Sequence, residues 1–159
     1  FVGTLVFRKR PGLFRVLARD LKEASFVLVG RGEVNDKNAH HINSMPREDV
    51  AKLMASSKIF VFPSLYEPCA AVIQEAMASG LPVVLSNHGG NKEFIDDDKE
   101  GFLINVSEDE KEEFLRRIKE LVSNEQLHQR ISKSAREKAE KDFKWKDVYK
   151  KYEDYLCST

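Results

Sequence analysis

The chain has 159 residues, 42% of them hydrophobic, so it matches the size of one globular domain with a core of its own. Its 26 Lys and Arg residues balance 26 Asp and Glu residues, which excludes a global field that would attract nucleic acid or an acidic membrane. Cys69 and Cys157 fit neither a disulfide scaffold nor a metal-ligand spacing, and no apolar stretch approaches the roughly 20 residues that span a bilayer. We therefore expect a cytoplasmic domain in which any anion site is local.

Residues 1–106 alternate short apolar runs with longer helical patterns. The runs are β-branched or aromatic and close at turn residues, which predicts strands at Phe1–Gly3, Phe26–Gly30, Ile59–Phe62, Pro82–Leu85 and Phe102–Val106, with a short edge strand at His41–Asn43. Helices are predicted near Pro11–Glu23, Arg47–Ser57, Ala70–Ser79 and Asn91–Ile95. This βαβ order predicts an α/β fold with a doubly wound, Rossmann-like parallel sheet.

Residues 107–159 change to charged, amphipathic helical patterns without strands. Apolar residues recur there at helical spacing: Phe114, Ile118 and Leu121, then Leu127, Ile131 and Ala135. The end of this helical tail is rich in aromatic residues, which we expect to dock on the sheet or on a neighbouring domain. Because the chain opens on a strand-like run without a Met, we expect residues 1–159 to be one domain of a larger protein.

Open parallel sheets bind ligands at the carboxyl ends of their strands, so the loops there are candidate sites. The first loop carries Arg8, Lys9 and Arg10 before Pro11, which suits the first turn of a helix; it is either a phosphate site or a solvated basic turn. The second loop contains Gly30-Arg31-Gly32, which permits close backbone approach to a ligand or simply a tight turn. It lacks the full glycine fingerprint of a dinucleotide site, which disfavours an oxidoreductase.

The third loop, which follows the strand ending at Phe62, is the most informative. Glu67 stands just before an alanine-rich helix predicted from Cys69 to Ser79, and the amides of Cys69, Ala70 and Ala71 have no partner within such a helix. Glu75 lies roughly 7–8 Å further along the helix axis, at ~1.5 Å per residue, which is the order of a pyrophosphate length. One carboxylate could accept from sugar hydroxyls and the other from ribose hydroxyls. Alternatively, Glu67 complements the helix dipole and Glu75 is a surface residue.

The fourth loop, Ser86-Asn87-His88-Gly89-Gly90, again joins a strand to a helix start. Gly89 and Gly90 would let backbone amides face a phosphate or a sugar oxygen. The histidines of the chain have no convergent partner in the sequence, so we assign no catalytic residue to these 159 residues.

Together these motifs resemble the C-terminal domain of GT-B glycosyltransferases, in the large retaining group 1 (family 4 type). The resemblance covers most of the chain and rests on Pro63-Ser64, Glu67-Pro68, Glu75-Ala76-Met77-Ala78, Gly80-x-Pro82-Val83-Val84, Gly89-Gly90, Glu93 and Gly101. It implies that Glu67 and the amides of Cys69 to Ala71 hold the donor sugar of a UDP-, GDP- or ADP-sugar, that Glu75 binds the ribose, and that transfer needs no metal or other cofactor.

The resemblance also implies a basic pair that clamps the diphosphate. Lys9 stands where the lysine is expected, whereas Thr4 occupies the usual arginine position, which leaves Arg8 or Arg10 as its substitute. The implied function is retaining transfer of a hexose, with the acceptor site and any membrane contact in an N-terminal domain outside this chain, so we expect these residues alone to be inactive. A nucleotide-sugar epimerase, a phosphorylase half and a non-catalytic nucleotide-sugar-binding module are the alternatives.

Overall fold

The computed structural model describes residues 1–32 and 37–157, and it contains two parallel sheets flanked by helices. Strands β1 (Phe26–Val29) and β2 (Ala39–Ile42) pair in parallel, with Phe26 opposite Ala39. Strands β3 (Phe60–Phe62), β4 (Val83–Ser86) and β5 (Gly101–Ile104) form the second sheet in the order β3-β4-β5. The predicted α/β, Rossmann-like fold is therefore confirmed.

The segment predicted as a first strand, Phe1–Gly3, lies between the two sheets but forms only an isolated bridge. Val2 pairs with Val29, and the Gly3 N–H donates to the Val29 carbonyl at 2.8 Å. On the other side, the Phe1 ring stacks on Phe62 with 5.6 Å between ring centroids. The apolar contact thus joins the sheets where regular strand pairing does not.

Three helices cover the sheets: α1 (Pro11–Asp20), α2 (Arg47–Ala55) and α3 (Ala71–Ala78). Pro11 occupies the first turn of α1, as expected for a residue without an N–H. The predicted α-helix at Asn91–Ile95 is instead a short 3-10 helix, Gly89–Glu93, that begins two residues earlier. Every residue of β3 and β4 is buried, which explains why these strands read as continuous apolar runs.

The tail consists of α4 (Glu110–Ser123), α5 (Glu125–Asp142) and α6 (Trp145–Cys157). Its predicted apolar stripes face the core: α4 buries Phe114, Ile118 and Leu121, and α5 buries Ile131, Ala135 and Ala139. Helix α6 does not pack on the sheet, because Trp145 is 82% exposed and Tyr149 is 70% exposed. No helix within residues 1–32 and 37–157 has the length and apolar character needed to cross a membrane.

Candidate functional site

The loop between β3 and α3 places Glu67 at the carboxyl end of the second sheet. Its side chain is buried, with the residue only 7% exposed. One carboxylate oxygen, Oε1, accepts hydrogen bonds from Arg8 Nη1 at 2.7 Å and from Ser64 Oγ at 2.9 Å, and it lies 3.2 Å from Lys9 Nζ. The structure thus brings together the two cations and the carboxylate that the sequence analysis assigned to the phosphates and the sugar.

Backbone contacts fix this arrangement. The Leu65 N–H donates to the Arg8 carbonyl at 2.8 Å, so the loop after β3 is tied to the short 3-10 helix Phe7–Lys9 that precedes α1. Tyr66 adopts a left-handed conformation with φ of 55°, which is uncommon for a side chain of its size. Strain of this kind persists where the surroundings determine the backbone, and here it turns the chain so that Glu67 points inward.

The charge state of Glu67 follows from these neighbours. Burial alone raises the pKa of a carboxyl group, but the hydrogen bond from Ser64 and the positive charges of Lys9 and Arg8 act in the opposite direction and prevail. The pKa of Glu67 is therefore lowered from 4.5. At neutral pH the group is a carboxylate, which accepts hydrogen bonds and does not donate a proton.

Helix α3 begins beside Glu67 with unpaired amides. The helix starts at Ala71, one residue after Ala70 and two after Cys69, the two predicted starts, with Ala70 as its N-cap and without a side-chain cap. The backbone N–H groups of Cys69, Ala70 and Ala71 donate no hydrogen bond to any of the residues that the structure describes. Cys69 is an exposed free thiol, and no capping side chain blocks these donors. Such amides, at the positive end of the helix dipole, suit ligand oxygens.

Glu75 lies on the fifth residue of α3, and its side chain is 37% exposed. Arg47 Nη2, from the first residue of α2, donates to Glu75 Oε1 at 2.7 Å. The sequence gives no sign of this contact, because it depends on how α2 and α3 lie relative to each other. The assignment of Glu75 to a ribose stays a prediction. Arg47 places a positive charge directly beside the Glu75 carboxylate.

The glycines of the site support the loops by close packing. A Cβ at Gly30 would lie 1.9 Å from the Gly3 carbonyl oxygen, and one at Gly90 would lie 2.3 Å from the Pro68 carbonyl oxygen. The Gly90 N–H donates to the Glu67 carbonyl at 2.8 Å, so this amide is already paired and holds the Glu67 loop in place. Gly89 has φ of 59°, a conformation that favours glycine. The phosphate contacts of Gly30, Gly89 and Gly90 stay predictions.

Three buried polar atoms near the end of β4 lack a hydrogen-bond partner among the described residues: Ser86 Oγ, His88 Nδ1 and Asn91 Oδ1. Asn91 Nδ2 donates to the carbonyls of Ser64 and Ser86, at 2.9 and 3.2 Å, and so links the ends of β3 and β4. A buried polar atom without a partner lowers the stability of the fold by about 1–3 kcal/mol, so such atoms are few in native proteins and call for an explanation. Their clustering at this edge of the sheet is typical of a binding site.

The structure distinguishes the two arginines that the sequence offered as partners of Lys9. Arg10, one of the two proposed replacements for the arginine missing at Thr4, forms a bidentate ion pair with Glu110 at the start of α4. Its guanidinium is therefore directed to the helical tail, and of these two arginines only Arg8 accompanies Lys9 at Glu67.

No group of three or more His, Cys, Asp or Glu side chains in residues 1–32 and 37–157 is placed to hold a metal ion.

Comparison with known proteins identifies relatives along nearly the whole chain. Residues 1–138 match the family described as glycosyl transferases group 1. Spore coat protein SA of Bacillus subtilis is 35% identical, in an alignment that covers 93% of this chain and 45% of that protein. Sulfoquinovosyl transferase SQD2 of Arabidopsis thaliana is 30% identical, in an alignment that covers 91% of this chain and 30% of that protein. The chain thus spans less than half the length of these curated relatives.

A solved structure shares the fold. The structure of Anabaena Alr3699/HepE in complex with UDP-glucose superposes on this chain with a TM-score of 0.86 and 22% sequence identity. The match covers 99% of this chain and 48% of the Anabaena chain.

Proposed function

The chain belongs to the group 1 glycosyl transferases, and from that membership we propose that it is the donor-binding domain of an enzyme that transfers a hexose from a nucleoside diphosphate sugar to an acceptor with retention of configuration. The observation that carries the proposal is the meeting of Arg8, Lys9 and Glu67 beside the unpaired amides that open α3. These groups offer cations for a diphosphate, a carboxylate for hydroxyls and N–H donors for sugar or phosphate oxygens.

In the proposed reaction, the bond between the anomeric carbon and the diphosphate oxygen breaks, the acceptor hydroxyl oxygen bonds to that carbon, and the hydroxyl proton passes to the departing diphosphate. Negative charge develops on the departing nucleoside diphosphate. Lys9, Arg8 and the α3 dipole stabilise that charge, because the diphosphate draws the two cations from Glu67 to itself as the donor binds. Glu67 and Glu75 orient the donor through its sugar and its ribose, and neither acts as a general acid or base. The proposal includes no metal or other cofactor.

Calorimetric titration of UDP-glucose, GDP-mannose and ADP-glucose tests donor binding. We expect Lys9→Ala and Glu75→Ala to weaken the preferred donor about tenfold, which corresponds to one charge-assisted hydrogen bond. Lys22→Ala is the matched control, because Lys22 is an exposed lysine beyond the carboxyl end of α1, at the opposite edge of the sheets. Absence of binding by the parent chain, or equal affinity for the parent and Lys9→Ala, would refute the proposal.

We further propose that the acceptor site and any membrane contact lie in an N-terminal domain of the same protein, with the whole protein in the cytoplasm. The chain spans 45% and 30% of two relatives, which leaves room for such a domain. Trp145, Tyr149 and Tyr152 form an exposed aromatic face of α6, which follows the last residue that the family matches. An apolar face of this kind suits burial against a domain of the same chain.

The α6 contact is testable by one substitution in two contexts. Tyr149→Ser changes an exposed residue in this chain, so its melting temperature should change little here. In the full-length protein the same substitution should lower the melting temperature by several degrees. Equal effects in the two contexts would show that the N-terminal domain does not cover this face.

A further inference from the structure

The contacts of Glu67 are distributed unequally between its two carboxylate oxygens. Arg8, Lys9 and Ser64 all approach Oε1, at 2.7, 3.2 and 2.9 Å. Among the described residues, none donates a hydrogen bond to Oε2. A carboxylate oxygen has about two lone-pair sites, so three donors saturate Oε1 and leave Oε2 as the acceptor that a ligand can use.

Ser64 differs from the two cations in how a ligand affects it. Its side chain is fully buried at the end of β3, and its hydroxyl has one proton to donate. The carbonyls of Arg8 and Leu65 lie 3.4 Å from Ser64 Oγ, whereas Glu67 Oε1 lies at 2.9 Å, so the carboxylate is the preferred acceptor. A diphosphate attracts Arg8 and Lys9 away from Glu67, but it exerts no such pull on a neutral, buried hydroxyl.

We propose that Ser64 is a positioning residue, which holds Glu67 Oε1 when the donor diphosphate engages the cations and thereby directs Oε2 to a hydroxyl of the donor sugar. This inference rests on the proposed function, and it assigns the two carboxylate oxygens of Glu67 different roles: Oε1 accepts from Ser64, and Oε2 contacts the sugar. Ser64 itself acts through Glu67 and does not touch the donor.

The test compares a nucleotide sugar with the nucleotide alone, by calorimetric titration of UDP-glucose and UDP, or of the corresponding pair if GDP-mannose or ADP-glucose binds more tightly. We expect Ser64→Ala to weaken UDP-glucose about tenfold, as for loss of one hydrogen bond to a charged group, and to change UDP affinity less than about twofold. In a Glu67→Gln background, Ser64→Ala should have no further effect on UDP-glucose. Ser132→Ala is the control, because the Ser132 hydroxyl also donates one hydrogen bond, to the Gly80 carbonyl just beyond the C-terminal end of α3, and its loss should leave both affinities unchanged.

Two results overturn the inference. One is unchanged UDP-glucose affinity in Ser64→Ala; the other is equal loss of UDP and UDP-glucose, which indicates general damage to the loop. If Ser64→Ala does not fold, as judged by its melting transition, Ser64→Cys keeps a side chain of similar volume with a weaker donor. It should likewise weaken UDP-glucose binding while leaving UDP binding nearly unchanged. Failure of the parent chain to bind any of the nucleotide sugars refutes the proposed function instead, so the two failures are distinguishable.

Discussion

Arg8 and Glu67 lie 59 positions apart in the chain, yet Arg8 Nη1 is 2.7 Å from Glu67 Oε1. This ion pair joins the segment before α1 to the loop after β3, and Lys9 adds a second cation on the same oxygen. The pair therefore holds both loops in shape before a ligand binds. In the proposed function, a bound diphosphate would compete with Glu67 for the same two cations.

The first prediction concerns the pH dependence of stability. The pKa of Glu67 in the folded chain lies below 4.5, its value without these contacts, so the unfolded chain takes up the proton first as the pH falls. The stabilisation from ionised Glu67 is thus fully present above pH 4.5, declines as the pH falls below it, and is lost below the folded-state pKa.

Urea unfolding at a series of pH values measures this effect. We expect Glu67→Gln to lower the free energy of unfolding by about 1–3 kcal/mol at neutral pH, and the difference from the parent should shrink in acid. Glu108→Gln, at an exposed residue, is the control. A difference that stays constant from neutral pH into acid would contradict the assignment of the lowered pKa to the Arg8–Lys9–Ser64 contacts.

The second prediction separates Arg8 from Arg10. Because Arg10 pairs with Glu110 in the tail, Arg10→Ala should change UDP-glucose affinity less than about twofold, whereas Arg8→Ala should weaken it about tenfold. A double-mutant cycle of Arg10→Ala and Glu110→Ala should give a coupling of about 1–2 kcal/mol in the free energy of unfolding. Donor affinity that falls as much with Arg10→Ala as with Arg8→Ala would restore Arg10 to the site.

The sequence predicts strands β1 and β3 to β5 and the β3–loop–α3 motif, because these depend on local patterns, whereas the run Phe1–Gly3 forms only an isolated bridge. Continuous apolar runs mark β3 and β4, and Pro11 marks the start of α1. The bonds between side chains were not predictable: Arg10 and Glu110 lie 100 positions apart, and nothing in either segment specifies the other. Such pairs follow from how the elements pack, which local periodicity does not encode.

The glycines of the fourth loop show a different limit. Glycine permits close approach by any group, so Gly90 was consistent with a ligand phosphate and equally with the Pro68 carbonyl that the structure places against it. The environment of the aromatic face of α6 could not be predicted for the same reason. Its helical spacing was readable, but whether the sheet or another domain covers the face depends on tertiary packing.

The third prediction concerns how α5 holds α3. Ser132 Oγ donates to the Gly80 carbonyl at 2.6 Å, just beyond the C-terminal end of α3, and Arg136 donates to the Ala78 carbonyl. We expect Ser132→Ala to lower the free energy of unfolding by about 1 kcal/mol, since it removes one hydrogen bond. Ser134→Ala on the same helix should be neutral or slightly stabilising, because alanine is the better helix former. Equal denaturation midpoints for Ser132→Ala and the parent would show that this contact does not hold α3.

The fourth prediction compares two glycines that differ in their surroundings. A Cβ at Gly90 would lie 2.3 Å from the Pro68 carbonyl oxygen and 2.9 Å from that of Glu67, whereas a Cβ at Gly12 meets no atom within 4 Å. Gly90→Ala must therefore displace the backbone of the Glu67 loop, at a cost of about 1–3 kcal/mol, and it should weaken UDP-glucose binding at the same time.

Gly12 lies in α1, where alanine is favoured over glycine by about 0.5–1 kcal/mol, so Gly12→Ala should stabilise the chain and leave donor affinity unchanged. Chemical denaturation gives the two stabilities, and calorimetry gives the two affinities. If Gly90→Ala kept both the parent stability and the parent affinity, the loops after β3 and β4 could not be interlocked as the structure has them. Lost affinity with unchanged stability would instead point to a direct ligand contact at Gly90, the role that the sequence first suggested for its amide.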